Sequence, residues 1–142
     1  MKTLIIIALL GLITGSTVKS DDLLGMWLDE SRKLIVETYK VDNLYYAKIR
    51  WFDNENKRIE KFSDKGLPKS KWLNYKVMEH FKFDGEIWKN GVIHQIKTGH
   101  TYDATINMKN KNFIIVRGYV LISMLGENVT FTRYNSTLPK QE

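Results

Sequence analysis

The side chains best equipped for chemistry sit together in HQIKTGHTYD, residues 94–103, which offers His94, His100 and Asp103. Two imidazoles and a carboxylate are what a zinc site or a general acid-base pair requires. Their spacing argues against both. With Thr98-Gly99 as a two-residue hairpin turn, His94 lies opposite Asp103 on the outer face of two paired strands and His100 lies in the turn. The three then do not converge on one ion, and a surface cross-strand pair is the expected role. His80, in KVMEHFKF, stands alone, and neither Ser63 nor Ser123 has a His at a readable spacing. A nucleophile elbow, a phosphate-binding glycine loop and a zinc-protease helix are all missing from the sequence. With no cysteine in the chain, thiolate catalysis, disulfides and Cys-based metal sites are excluded. The expectation is a non-enzymatic protein that needs no metal or cofactor.

A different pair of residues asks for an explanation. FIIVRGYVLISMLGENVTFTRY, residues 113–134, is rich in β-branched and aromatic side chains, yet it carries Arg117 and Arg133. What positions them is a chain whose hydrophobic period is two nearly everywhere. Tyr45, Ala47, Ile49 and Trp51 alternate with Tyr46, Lys48 and Arg50; Tyr102, Ala104, Ile106 and Met108 alternate with Asp103, Thr105 and Asn107. Strands are expected over 25–28, 34–39, 45–51, 74–83, 92–96, 102–108, 113–120 and 128–134. Turn chemistry separates them at Val41-Asp42-Asn43, Asp84-Gly85, Asn90-Gly91, Thr98-Gly99 and residues 109–112. Short strands with turns at this spacing predict an all-β protein, a single antiparallel barrel of about eight strands. The polar connection 53–70 is too long for a turn and reads as a lid over one end or a mobile loop.

Register follows from the turns. If Asn110-Lys111 turns the next hairpin, Ile106 faces Ile115, Ala104 faces Arg117 and Tyr102 faces Tyr119. One inner face then carries Ile93, Tyr102, Ala104, Ile106, Met108, Phe113, Ile115 and Tyr119, and Arg117 with them. The aromatic cluster of Tyr45, Trp51, Tyr102, Phe113 and Tyr119 either lines a ligand cavity or is packed core, since an eight-stranded barrel is only just wide enough for both outcomes. Ile114, Val116 and Val120 would point outward and form an apolar patch for a protein partner or lie under the long connection.

The chain is 142 residues long with a net charge of +6. Its N-terminus has a short basic start, an apolar run over 4–13 and small residues over 14–17, the pattern of a secretory signal peptide. That run is too short to span a membrane as a helix. The expected organisation is a signal peptide at 1–20 and one barrel domain at 21–142, exported to the periplasm or secreted, monomeric and without a membrane span. The basic run NKRIEKFSDKGLPKSK, residues 56–71, lacks interleaved stacking aromatics, so it reads as a solvated loop and no nucleic-acid partner is expected.

Gly25-Met26-Trp27, Gly99-His100-Thr101-Tyr102, Arg117-Gly118-Tyr119, Gly126 and Phe131-Thr132-Arg133 together resemble a lipocalin-like family of exported bacterial proteins, domain of unknown function 2147 (DUF2147). The resemblance runs from about Leu24 to Tyr134. Where members usually have Asp-Pro this chain has Gln95-Ile96, and the final Trp is Phe131. The resemblance implies a calycin-type barrel in which Gly25, Trp27 and Arg133 close the first strand onto the last, with the guanidinium laid on the indole. Once Trp27 is truncated, loss of Arg133 should then add little. For function it implies a binder of a small, mainly apolar or anionic amphipathic ligand, with Tyr45, Trp51, Tyr102, Arg117 and Tyr119 as candidate contacts. The alternative is an envelope interaction protein with a filled core, acting through Ile114, Val116 and Val120 or the basic connection. An inward Arg117 needs compensation, either from a carboxylate such as Glu37 and backbone carbonyls or from an anionic ligand head group.

Overall fold

The computed structural model of the protein describes residues 17–55, 57–119 and 127–142. Most of the expected signal segment, together with Val120, Ser123 and Gly126, lies outside them. Eight strands follow a short 3-10 helix at Ser20–Leu23: β1 (Gly25–Asp29), β2 (Leu34–Val41), β3 (Leu44–Phe52), β4 (Lys76–Phe83), β5 (Trp88–His94), β6 (Thr101–Asn110), β7 (Phe113–Tyr119) and β8 (Glu127–Arg133). Each pairs antiparallel with its neighbour, and β1 pairs with β8, so the sheet closes and no edge is left. No helix among the described residues is long and apolar enough to cross a membrane.

The two ends differ because their connections differ. At one end, tight turns join β2 to β3 through Asp42 and Asn43, both with positive φ, and β6 to β7 through Lys111 and Asn112. Consecutive positive φ values match the right-handed strand twist, which is why Asp and Asn serve there. The Asp84 carboxylate accepts from the amides of Glu86 and Ile87 in the third tight connection. At the other end lie residues 30–33, the long connection 53–75 and the loop 95–100.

Asn90-Gly91, expected as a turn, sits inside β5 at a register shift between Trp88 and Gly91. The glycine has a packing reason: a Cβ there would come within 2.4 Å of the Phe81 ring, which is fully buried. The strand therefore begins at Trp88, four residues earlier than its apolar alternation suggests.

Three other expectations of register are corrected, two of them by bulges and one by a longer loop. The β6–β7 turn falls one residue later than Asn110-Lys111, a change that by itself keeps the same faces. A further shift between Met108 and Asn110 does not, and Ala104 pairs with Gly118, Thr105 with Arg117 and Ile106 with Val116. One extra residue flips every later side chain to the other face. Ile114 and Val116 are thus core residues, each 1% exposed, while Arg117 and Tyr119 point outward. In β3 the register moves between Ile35 and Val36, leaving Arg50 as the extra residue. Phe52 takes the inward place expected for Trp51, whose indole donates to Lys140 O at 3.4 Å on the outer surface. Gln141 fastens the chain end beside it, bonding both the amide and the carbonyl of Phe52. In the β5–β6 hairpin the pairing is shifted by two residues, so His94 faces Thr101 and Ile93 faces Tyr102, with the expected faces kept.

Candidate binding site

The interior is divided along the barrel axis into a packed end and an open end. At the packed end the 3-10 helix lays Leu23, 1% exposed, against a cluster that includes Trp27, Tyr45, Phe81, Trp88 and Ile106. The Leu23 carbonyl accepts from Trp27 Nε1 at 2.9 Å and from the Thr38 hydroxyl at 2.5 Å. Tyr45 reaches past this plug and donates to Asp21 Oδ1 at 2.5 Å. That bond, with Lys40 beside it, holds the Asp21 carboxyl below its usual range. Burial, and then the same carboxylate, pushes the Tyr45 phenol up.

Arg133 locks the plug to the last strand. Trp27 and Arg133 are directly paired across β1 and β8, and the guanidinium carbon lies 4.3 Å from the centre of the indole. Its nitrogens donate to three carbonyls: Nε to Lys111 O at 2.7 Å, Nη1 to Leu24 O at 2.9 Å and Nη2 to Asp22 O at 2.6 Å. Burial lowers its pKa. Gly25 makes room for it, since a Cβ would stand 2.7 Å from Arg133 Nη1, and at φ +134° a side chain would also be strained. Gly25, Trp27 and Arg133 therefore meet at the closure.

The open end holds a cavity of about 580 Å³. Its wall is apolar: Val36 and Phe52 from β2 and β3, Met78 and Ile93 from β4 and β5, Tyr102 from β6, Val116 and Gly118 from β7, Phe131 from β8. Gly118 contributes space, because a Cβ there would stand 2.8 Å from Ile93 Cδ1 at the cavity wall. The rim is polar and carries both signs of charge, with Asp29, Lys33, Asp53, Glu55, Lys69 and Lys97.

One side of the mouth is built by the connection 53–75, which is docked and not loose. Trp72, 4% exposed, packs edge-on against Phe52 at 5.1 Å and donates its Nε1 to Leu67 O at 2.8 Å. Leu67 N donates to Ile96 O at 2.8 Å, and Ser63 Oγ to Lys97 O at 3.1 Å. Gly66 and Gly99 allow this approach to the β5–β6 loop: Cβ atoms there would lie 2.6 Å from Lys97 O and 2.0 Å from Lys65 O.

The expected contact residues divide. Tyr102 lines the cavity. Tyr45 points inward but belongs to the packed end. Trp51, Arg117 and Tyr119 are outside, so the inward orientation expected for them is corrected. Arg117 donates to Asn128 Oδ1 at 3.1 Å and lies 5.4 Å from the Tyr119 ring centre. Glu37 is not its partner; it binds Arg50 at 2.9 Å on the outer face of β2 and β3. An arginine in an apolar run thus needs no buried counter-charge here, because its position is a surface one. Phe52, Trp72 and Phe131 also line the cavity, and for Trp72 the sequence signal is an isolated Trp in the polar run before β4.

His94, His100 and Asp103 stay apart. His94 Nε2 meets Glu79 at 2.6 Å and its Nδ1 meets Thr101 at 2.8 Å, while His100 contacts the Tyr102 hydroxyl at 3.0 Å. The surface partner of His94 is therefore Glu79, whose carboxyl the imidazole holds below its usual range, and not Asp103. Among the described residues no group of three or more His, Asp or Glu side chains is placed to hold a metal ion.

Comparison with known proteins adds three findings. The family described as "Uncharacterized protein conserved in bacteria (DUF2147)" matches residues 25–133. A comparison with curated proteins found no match. Among solved structures the chain is similar to Helicobacter pylori HP1028, described as belonging to the lipocalin family, with a TM-score of 0.58 and 18% identity over 80% of this chain and 83% of that one. At that identity the likeness shows a shared lipocalin-like barrel.

Proposed function

Because the chain belongs to the DUF2147 family, whose description assigns no activity, we propose from its own geometry that it binds a small, mainly apolar ligand inside the barrel. The observation that carries this reading is the asymmetry of the interior. One half is filled by Trp27, Tyr45, Phe81 and Trp88, whereas the other keeps about 580 Å³ lined by aliphatic and aromatic side chains. That volume lies within the range of about 300–1,000 Å³ typical of small-molecule sites. The role is one of binding without catalysis, and the basic-apolar-small pattern of the N-terminus supports export of the chain. The alternative interaction surface loses its main support, since Ile114 and Val116 are in the core.

The test uses Gly118, which sets the width of the cavity opposite Ile93. A neutral apolar fluorophore such as N-phenylnaphthylamine should brighten and saturate at one equivalent with the wild-type protein. Gly118→Leu, which places an isobutyl group in the cavity, should weaken that binding by at least about tenfold, equivalent to ~1.4 kcal/mol, with a lower Tm because the new Cβ already crowds Ile93 Cδ1. Equal binding by a folded Gly118→Leu protein would place the probe elsewhere and reject the reading.

A further inference from the structure

The lip of the cavity formed by the long connection has a composition the rest of the wall lacks. Phe62 stacks on Trp72 at 5.9 Å with an interplanar angle of 17°, and Phe62 is 45% exposed. Two ammonium groups gather on this pair. Lys69 Nζ lies 5.7 Å from the Phe62 centre and 5.9 Å from that of Trp72, and Lys97 Nζ lies 4.8 Å from Phe62. All four side chains border the cavity. Lys69 also donates to Asn54 Oδ1 at 3.0 Å, which fixes its direction; Lys97 makes no ion pair with a described residue.

Two of the three acidic groups of the rim are engaged elsewhere. The Asp29 carboxylate accepts from the Ser31 hydroxyl and from the amides of Lys33 and Leu34. Glu55 is paired with Lys33 at 2.7 Å. Asp53, beside Glu55, is the remaining rim carboxyl. Positive charge on the Phe62 side is therefore concentrated on one exposed aromatic ledge, directly above an apolar cavity. Both ammonium groups lie against the Phe62 ring, and an anionic head seated at that ring would form charge-assisted bonds with them.

Building on the apolar-cavity reading, we propose that the ligand is a single-chain amphiphile with an anionic head. Its tail lies along Met78, Ile93 and Val116, and its head sits between Lys69 and Lys97 on the Phe62 ledge. The carboxylate and the phosphate monoester share the required chemistry. The anion-anchoring role thus falls to the connection and the β5–β6 loop, not to Arg117, which the bulge in the β6–β7 hairpin turns outward.

Competition against N-phenylnaphthylamine, below the micellar concentration, separates the possibilities. In low salt, dodecanoate and dodecyl phosphate should displace the fluorophore at concentrations about fivefold or more below that required for dodecanol. The gap should narrow to about twofold in 1 M salt, where exposed charges are screened. In Lys69→Gln/Lys97→Gln the preference for acid over dodecanol should vanish, with an intact fold read from circular dichroism and Tm; the salt series on wild type serves if that variant does not fold. Equal displacement by acid and alcohol in wild type, or an acid preference that survives the double substitution, overturns the head-group site and leaves the cavity reading standing. Failure of all three to bind, with no fluorophore uptake, rejects both. A stronger effect with phosphate than with carboxylate identifies the head group within the proposed class.

Discussion

Trp27→Ala should destabilise the barrel by about 3–5 kcal/mol, the range for removing a large buried aromatic side chain. Trp27 is 0% exposed, plugs the closed end through its bond to Leu23 O and supports the Arg133 guanidinium. Arg133→Met alone should cost about 2–3 kcal/mol, because three carbonyls lose a charged donor. The double variant should fall short of the sum by about 1–2 kcal/mol, the share of the cation-π contact. The carbonyl bonds of Arg133 do not run through the indole, so its loss in the Trp27→Ala background still costs more than the little expected from the stacked pair alone. Urea unfolding of the four proteins measures the cycle. Strict additivity would mean that the ring contact contributes nothing to closure.

Trp72→Ala should free the long connection while leaving the closed end intact. Trp72 is wedged between Phe52 and Phe62 and ties itself to Leu67, so truncation removes about 3–5 kcal/mol of local packing from a segment with few other buried groups. Tryptic cleavage among Lys57, Lys61, Lys65 and Lys71 should accelerate at least about tenfold when opening is fast relative to cleavage. Dissociation of a cavity-bound fluorophore should accelerate with it. Unchanged cleavage would show that the hydrogen bonds of Ser63 and Leu67 to the β5–β6 loop hold the segment without the indole.

The barrel was legible in the sequence because period-two alternation and Asp/Asn/Gly turn chemistry are local signals, and all eight expected strands overlap observed ones. The closure pair was legible because Gly25-Met26-Trp27 and Phe131-Thr132-Arg133 sit in the strands that must meet. What local alternation does not encode is where a ladder slips. The bulge near Lys109 inverted the expected faces of β7, and the one at Arg50 exchanged Trp51 for Phe52. Neither carries a glycine that would mark it. Those two slips moved three of the five expected ligand contacts to the outside. The mouth was harder still, since Phe62 and Trp72 of the long connection meet Lys97 of the β5–β6 loop, and both segments are irregular in conformation. Gly118 could be read as part of Arg-Gly-Tyr, but its contribution of space depends on the corrected register.

The central claim is that one half of the interior is a binding cavity and the other half is core. Methyl-resolved NMR during titration with N-phenylnaphthylamine tests it most directly. Saturable shifts should appear at Met78, Ile93 and Val116, which line the cavity, and stay small at Leu23 and Ile106 in the packed end. Shifts confined to exposed Val41 and Leu73, with Met78, Ile93 and Val116 unmoved at saturation, would contradict it.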